Sequence, residues 1–165
     1  MSDYFFPSGK GPLVSIILPS IGRPAGLFAC IDSLNSLAAT PSQIEYILKI
    51  DDDDKETIAT YEKLKGMINI RALISPRGNG YMDMHKWVNE LSLNWATGDW
   101  CLIWNDDAVL AKGNGVDIPD SQNWDQNLLC ADFQAGATWH ACPDICSLIT
   151  PTVGRPDASE FFFLR

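Results

Sequence analysis

A mainly parallel α/β sheet with helices on both faces is the fold class that this sequence predicts. Three observations carry it. Short β-branched apolar runs alternate with segments of helical periodicity between residues 13 and 104. Stretches rich in Pro and Gly separate several of them. Two acidic clusters, Asp51 to Asp54 and Asp106-Asp107, follow directly on apolar runs, and in such sheets ligands bind beyond the carboxyl ends of the strands.

The elements follow in order. Leu13 to Leu18, LVSIIL, is bounded by Pro12 and Pro19 and reads as a buried strand. After the turn Ser20-Ile21-Gly22-Arg23, Pro24 suits a first helical turn, and Leu27, Ile31, Leu34 and Ala38 recur at helical spacing, which predicts a helix up to about Leu37. Ile44 to Ile50 is a second strand, delivering Asp51 to Asp54 at its end. Residues 55 to 65 read as a polar helix with Ile58, Tyr61 and Leu64 inward, closed by Gly66. Ile68 to Ile74 is a third strand, ended by the loop Ser75-Pro76-Arg77-Gly78-Asn79-Gly80. Met84, Trp87, Val88, Leu91 and Trp95 mark a third helix, terminated by Gly98, and Trp100 to Trp104 is a fourth strand leading to Asn105-Asp106-Asp107. Beyond it, residues 111 to 127 read as a polar loop, and the apolar tail Phe161 to Leu164 as a surface able to pack on a partner chain.

Composition narrows the function. The 165 residues suit one domain with a real core, and 46% hydrophobic with 20% charged residues reads as globular. A net charge of −9 argues against nucleic acid as partner. An acidic protein that binds an anionic substrate needs a cation as intermediary. No early apolar stretch is long enough for a transmembrane segment, and the N-terminus lacks a leader pattern, so a cytoplasmic chain is expected. Five cysteines at irregular spacing fit reduced thiols; a zinc site from Cys130, His140, Cys142 and Cys146 is the lesser alternative.

The run Lys49-Ile50-Asp51-Asp52-Asp53-Asp54-Lys55 is the most unusual feature. It resembles a protease tag, but it follows an apolar strand without a spacer. It also lacks the oxygen ligand and glycine of an EF-hand loop, because positions five and six are Lys55 and Glu56. A solvated charge run is the plain alternative. Paired carboxylates at a strand end, as in Asp106-Asp107, can instead hold a hard divalent cation and leave positions open for a diphosphate. The other cluster would then accept a hydrogen bond from a nucleobase or ribose.

At these residues the sequence resembles a family. Val14-Ser15-Ile16-Ile17-Leu18-Pro19-Ser20 with Gly22-Arg23-Pro24 is similar to the VSIIIPTYNRP opening of family 2 type glycosyltransferases with the GT-A fold. Ile50-Asp51-Asp52 matches that family's VDD strand end, and Ala96-Thr97-Gly98-Asp99-Trp100 with Asn105-Asp106-Asp107 matches its AxGEY strand and DxD-type metal motif. The resemblance spans residues 13 to 110, the nucleotide-sugar-binding half of a single domain whose residues 111 to 165 would be a shortened acceptor side. It implies a nucleotide-diphosphate sugar as donor, a UDP-sugar favoured, a glycan or other hydroxyl as acceptor, Mn²⁺ or Mg²⁺ as cofactor, and inverting transfer.

Carried over by position, Asp52 would contact the base with Asp51 beside it, Asp107 would ligate the metal, and Asp106 would lie near the ribose or metal. Pro19 and Ser20 would line the nucleotide, Arg77 would reach a phosphate, and Asn89 would face the same cleft. Asp53 and Asp54 replace the usual Gly-Ser and would be solvated or cap the next helix. Asn105 replaces the first carboxylate of the DxD-type motif. For the general base, Asp157 and Glu160 are the candidates, with Asp144 next. Among four tryptophans read as core, Trp104 is the one expected to approach a sugar, and His85 and His140 read as non-catalytic. The rival function is a nucleotide-sugar-binding domain without catalysis. A nucleotidyltransferase is disfavoured because the required glycine-rich loop after the first strand is absent.

Overall fold

A computed structural model of the chain describes residues 12–98, 100–111, 121–129 and 161–164. Its sheet has the order β3-β2-β1-β4-β5. Strands β1 (Val14–Ser20), β2 (Ile44–Asp51), β3 (Ile70–Ser75) and β4 (Trp100–Ile103) pair in parallel, and β5 (Phe161–Leu164) joins β4 antiparallel. The helices are α1 (Pro24–Leu37), α2 (Lys55–Leu64), α3 (Met84–Glu90) and α4 (Trp124–Leu129). The predicted α/β class with a mainly parallel sheet is therefore the observed one.

The central strand explains why both faces need covering. On β1, Val14, Ile16 and Leu18 join a large cluster with Leu27, Ile31 and Leu34 of α1 and with Tyr61 and Leu64 of α2. Ile17 points the other way, to Ile47, Cys101, Leu91 and Ala96. Alternation along one strand thus feeds two apolar layers, and each fully buried Leu or Ile stabilises the fold by roughly 1.5–3 kcal/mol. Pro19 fits this central strand because the β4 ladder stops at the pair Ile17 and Ile103, so its missing N–H falls beyond the pairing.

A buried polar network locks the same strands together at their other end. Glu45 of β2 accepts from Ser15 Oγ at 2.5 Å, from the Thr97 N–H at 2.6 Å and Thr97 Oγ1 at 2.9 Å, and from Arg71 Nη2 at 2.8 Å. The Gly98 N–H donates to Ser15 Oγ at 2.8 Å, and a Cβ at Gly98 would sit 2.7 Å from that oxygen. Only glycine admits this approach. Burial pushes the Glu45 carboxyl up, but the hydrogen bonds from Ser15, Thr97 and Arg71 outweigh it and hold the group below its ordinary value.

Several boundaries differ from the sequence reading, each for a local reason. The third strand begins at Ile70 rather than Ile68, because the Met67 and Ile68 N–H groups turn back to Leu64 O. The third helix does not run on to Trp95: after Glu90 it widens into a π-helical turn, Leu91–Trp95, closed by the Ala96 N–H on Leu91 O at 2.8 Å. Arg71 Nη2 donates to Trp95 O at 2.6 Å, which anchors that turn from β3. Within the expected loop 111 to 127, α4 starts at Trp124. Trp124 Nε1 donates to Leu34 O, and Asp125 accepts from the Ala39 and Thr40 N–H groups, so α4 docks on the end of α1. The apolar tail, read from the sequence as an end able to pack on a partner chain, supplies β5. Among the described residues no helix is long and apolar enough to cross a membrane, and Cys30 and Cys101 are buried free thiols. The zinc-site candidates Cys130, His140, Cys142 and Cys146 lie outside the described residues.

Asp54 caps α2 by accepting from the Thr57 N–H at 3.1 Å, and it also accepts from the Gly22 N–H at 2.5 Å. It thereby ties the β1–α1 loop, where Gly22 holds φ +63, to the end of β2. Asp54→Ala is expected to cost about 1–2 kcal/mol in urea unfolding. An unchanged midpoint would mean that neither contact matters. Glu45→Ala should be costlier, roughly 3 kcal/mol, because Arg71, Ser15 and two N–H groups lose their buried acceptor. The pH dependence has a defined sign. The stability from Glu45 is fully present above its ordinary value of 4.5 and is lost as pH falls through the lower folded value. Glu45→Gln should accordingly lose less stability than wild type between about pH 5 and pH 3 in the same titration.

Candidate functional site

The sheet order reverses direction between β1 and β4, and a cleft opens at that point beyond the strand ends. This is where open α/β sheets bind ligands. From β1 the cleft takes Pro19 and Ser20, with Ile21 and Arg23 of the following loop. From β2 it takes Lys49 and Asp51, from the loop after β4 Asn105, Asp106 and Asp107. Gly78, Gly80, Met84 and Trp87 form the wall on the side of α3.

On the β4 side, Ser20 Oγ donates to Asp106 Oδ2 at 2.7 Å. Arg23 Nη1 donates to Asp107 Oδ2 at 2.7 Å and stands 3.5 Å from Asp106 Oδ1. Burial pushes the Asp106 carboxyl above its ordinary value; the Ser20 hydroxyl and the Arg23 charge pull it down, and the neighbouring Asp107 carboxylate adds to the rise. A buried carboxylate left in that condition gains from an added cation. Gly26 lets α1 close over this end, since a Cβ there would meet Asp106 O at 3.2 Å.

On the β2 side, the Lys49 ammonium and the Asp51 carboxylate form a buried ion pair. Lys49 Nζ also lies 4.7 Å from the Trp87 ring centroid, a cation–π contact. β2 and β4 flank β1, so the two charged ends of the cleft are two strand spacings apart, about 10 Å. That is the order of the distance between a nucleoside and its diphosphate.

The residues expected from the sequence separate here. Pro19, Ser20, Asp51, Asp106 and Asp107 come together in the cleft. Asp52, which the resemblance assigned to the base, is exposed in the turn after β2 and does not line the cleft; its carbonyl accepts from Lys55 Nζ at 2.6 Å. The chain turns away after Asp51, and Asp51 holds the cleft position. Arg77 is committed to the acidic run: Nε and Nη2 donate to the two oxygens of Asp53 at 2.9 and 3.0 Å, with Asp51 Oδ2 at 3.7 Å. Asn89 is exposed and outside the cleft, because two positions beyond Trp87 is about 200° around a helix. Trp104 is 2% exposed, its Nε1 donating to Ala108 O at 3.0 Å. It belongs to the core, and Trp87 is the aromatic of the cleft. Asp157, Glu160, Asp144 and His140 lie outside the described residues.

Sequence reasoning missed Lys49, Trp87 and Arg23. For Lys49 a signal existed. In IEYILKID, Glu45, Lys49 and Asp51 share one face by the period of two, and read as an apolar run this polar face disappeared.

No family model matches the chain, and no curated protein matches it either. Among solved structures it is similar to TarS of S. aureus, at 16% identity and TM-score 0.55 over 70% of this chain and 19% of that one. It is similar to the TarS 1-349 fragment in complex with UDP, at 17% identity and TM-score 0.53 over 70% of this chain and 31% of that one. It is also similar to the apo form of the glycosyltransferase GlyE of Streptococcus pneumoniae TIGR4, at 12% identity and TM-score 0.54 over 93% of this chain and 34% of that one. The matches span about a third or less of the length of those chains. At such identities the likeness is one of architecture, and with the parallel sheet and its switch-point cleft it establishes that the chain carries the GT-A type fold of glycosyltransferases.

Proposed function

We propose that the chain binds a nucleotide-diphosphate sugar in the switch-point cleft and transfers the sugar to a hydroxyl acceptor. The observation that carries this reading is the division of the cleft. Asp51 with Lys49 and Trp87 forms one end, and Asp106, Asp107, Arg23 and Ser20 the other. The first end suits a nucleoside: a carboxylate accepts from a base or ribose, and an indole offers an aromatic face. The second suits a diphosphate with its counter-ion. A UDP-sugar is favoured, as the resemblance implies, with a base N–H as the donor to the acidic acceptor.

The donor set at the second end fits the divalent cation that the resemblance implies. Asp106 and Asp107 are hard oxygen donors beside Asn105, of the kind that Mg²⁺ and Mn²⁺ take. Among the described residues no group of three His, Cys, Asp or Glu gathers for a metal, so two carboxylates would hold it, with diphosphate oxygens and water completing the shell. When bound, such a cation neutralises charge on the departing diphosphate. The chain's own residues do the rest: Ser20 fixes one oxygen of Asp106, and Asp51 with Trp87 orients the nucleoside.

A second reading keeps donor binding and drops transfer. What favours it is that the carboxylates lining the cleft are all engaged, Asp51 by Lys49, Asp106 by Ser20 and Arg23, and Asp107 by Arg23. The general base must then come from elsewhere, and Asp157 and Glu160 are the residues the sequence nominates. Transfer or donor hydrolysis by the purified chain separates the two readings.

Thermal unfolding with UDP, GDP and CDP, each with and without Mn²⁺, tests the donor site. At a hundredfold excess over Kd, a ligand specific to the native state adds about 2.7 kcal/mol. A shift with UDP that requires Mn²⁺ and disappears in Asp107→Ala is the expected result. No shift with any of the three nucleotides would refute donor binding, and a shift unchanged in Asp107→Ala would refute the metal role.

A further inference from the structure

Arg23 is the one guanidinium lining the cleft among the described residues, and it lies against the two carboxylates that the proposed function gives to a metal. We propose that Arg23 is an exchangeable cation: it neutralises Asp106 and Asp107 in the empty cleft and moves onto the diphosphate when a divalent ion takes the carboxylates. The inference rests on the donor-binding reading above.

Its contacts are suited to exchange. A single nitrogen, Nη1, faces both carboxylates, at 2.7 Å from Asp107 and 3.5 Å from Asp106. The side chains of Arg23 and Asp107 are 51% and 59% exposed, and exposed pairs of this kind are weak and reversible. One positive charge also leaves two carboxylates undercompensated, whereas a divalent ion balances both. The guanidinium is then released beside the incoming phosphates, whose oxygens match its fork geometry.

The surroundings hold still while the side chain moves. Asp106 keeps its position without Arg23, because Ser20 Oγ holds Oδ2. The backbone is pinned on both sides of Arg23: the Gly22 N–H is bound by Asp54 at 2.5 Å, and Arg23 O accepts from the Leu27 N–H at 2.9 Å as α1 begins. The exchange therefore needs no movement of the backbone at Arg23.

Competition and handover have opposite signs, which makes the test sharp. Mn²⁺ binding without nucleotide, followed by the paramagnetic resonance of the free ion, and UDP binding in saturating Mn²⁺, followed by calorimetry, are measured for wild type, Arg23→Gln and Arg23→Lys. Arg23→Gln should bind Mn²⁺ alone about two- to fivefold tighter, because an exposed ion pair of ordinary strength no longer competes. The same variant should bind UDP about tenfold more weakly, because a charge-assisted contact to phosphate is gone. Arg23→Lys should fall between the two. Unchanged or weaker Mn²⁺ binding by Arg23→Gln would overturn the competition, and unchanged UDP binding would overturn the handover, while wild-type UDP binding leaves the donor site intact. Wild type that binds neither Mn²⁺ nor UDP would overturn the proposed function and this inference together.

Discussion

The carboxylate of Glu45 is the constraint on which the rest of the structure depends. It gathers Ser15 of β1, the Thr97 N–H and hydroxyl just before β4, and Arg71 of β3 around one buried acceptor. Every strand of the parallel sheet is thus bound, directly or within three residues, to a single side chain. The register that brings Val14 beside both Ile44 and Trp100 follows from this gathering, and the register decides where the strands end. Ser20 meets Asp106 at the far end because Ser15 meets Glu45 and Gly98 at the near one.

A chain with a large negative charge concentrates four aspartates after β2, and they divide the work. Asp51 faces the cleft with Lys49, Asp53 holds Arg77, and Asp54 caps α2 while gripping Gly22. Asp52 is solvated at the turn. Repulsion within the run is offset by these separate partners, with the Arg77 hydrogen bond holding the Asp53 carboxyl low, and the Thr57 and Gly22 hydrogen bonds outweighing the effect of burial on Asp54. The same acids stiffen the loop that carries Arg23 and shape the β2 end of the cleft.

Much of this was legible in the sequence, and the reason is periodicity. The four parallel strands and the first two helices are regular and bounded by breakers, so their existence and order along the chain could be read with small errors at the ends, whereas β5 was read as a tail. The acidic strand ends were legible because parallel sheets direct function there. What escaped has a common cause: it depends on which way single side chains face. Trp87 and Trp104 are indistinguishable by type, yet one lines the cleft and the other is sealed in the core. Asp51 and Asp52 are adjacent, and only the turn after Asp51 separates their roles. The π-helical turn after α3 depends on Arg71 reaching Trp95 O, a contact that no local pattern announces.

The antiparallel strand β5 bears on how the chain folds. Its partners in β4, from Ile103 opposite Phe161 to Trp100 opposite Leu164, are distant in sequence, though less so than the partners that join β1 to β4. Closing a longer loop costs more chain entropy, and contacts of high sequence separation are the slowest to be made. β5 stands at the edge of the sheet and pairs with β4 alone, so none of the parallel pairings needs it. Wherever β5 is not docked, β4 is an open edge with unpaired N–H and C=O groups, and that edge is the vulnerable surface of the folding chain.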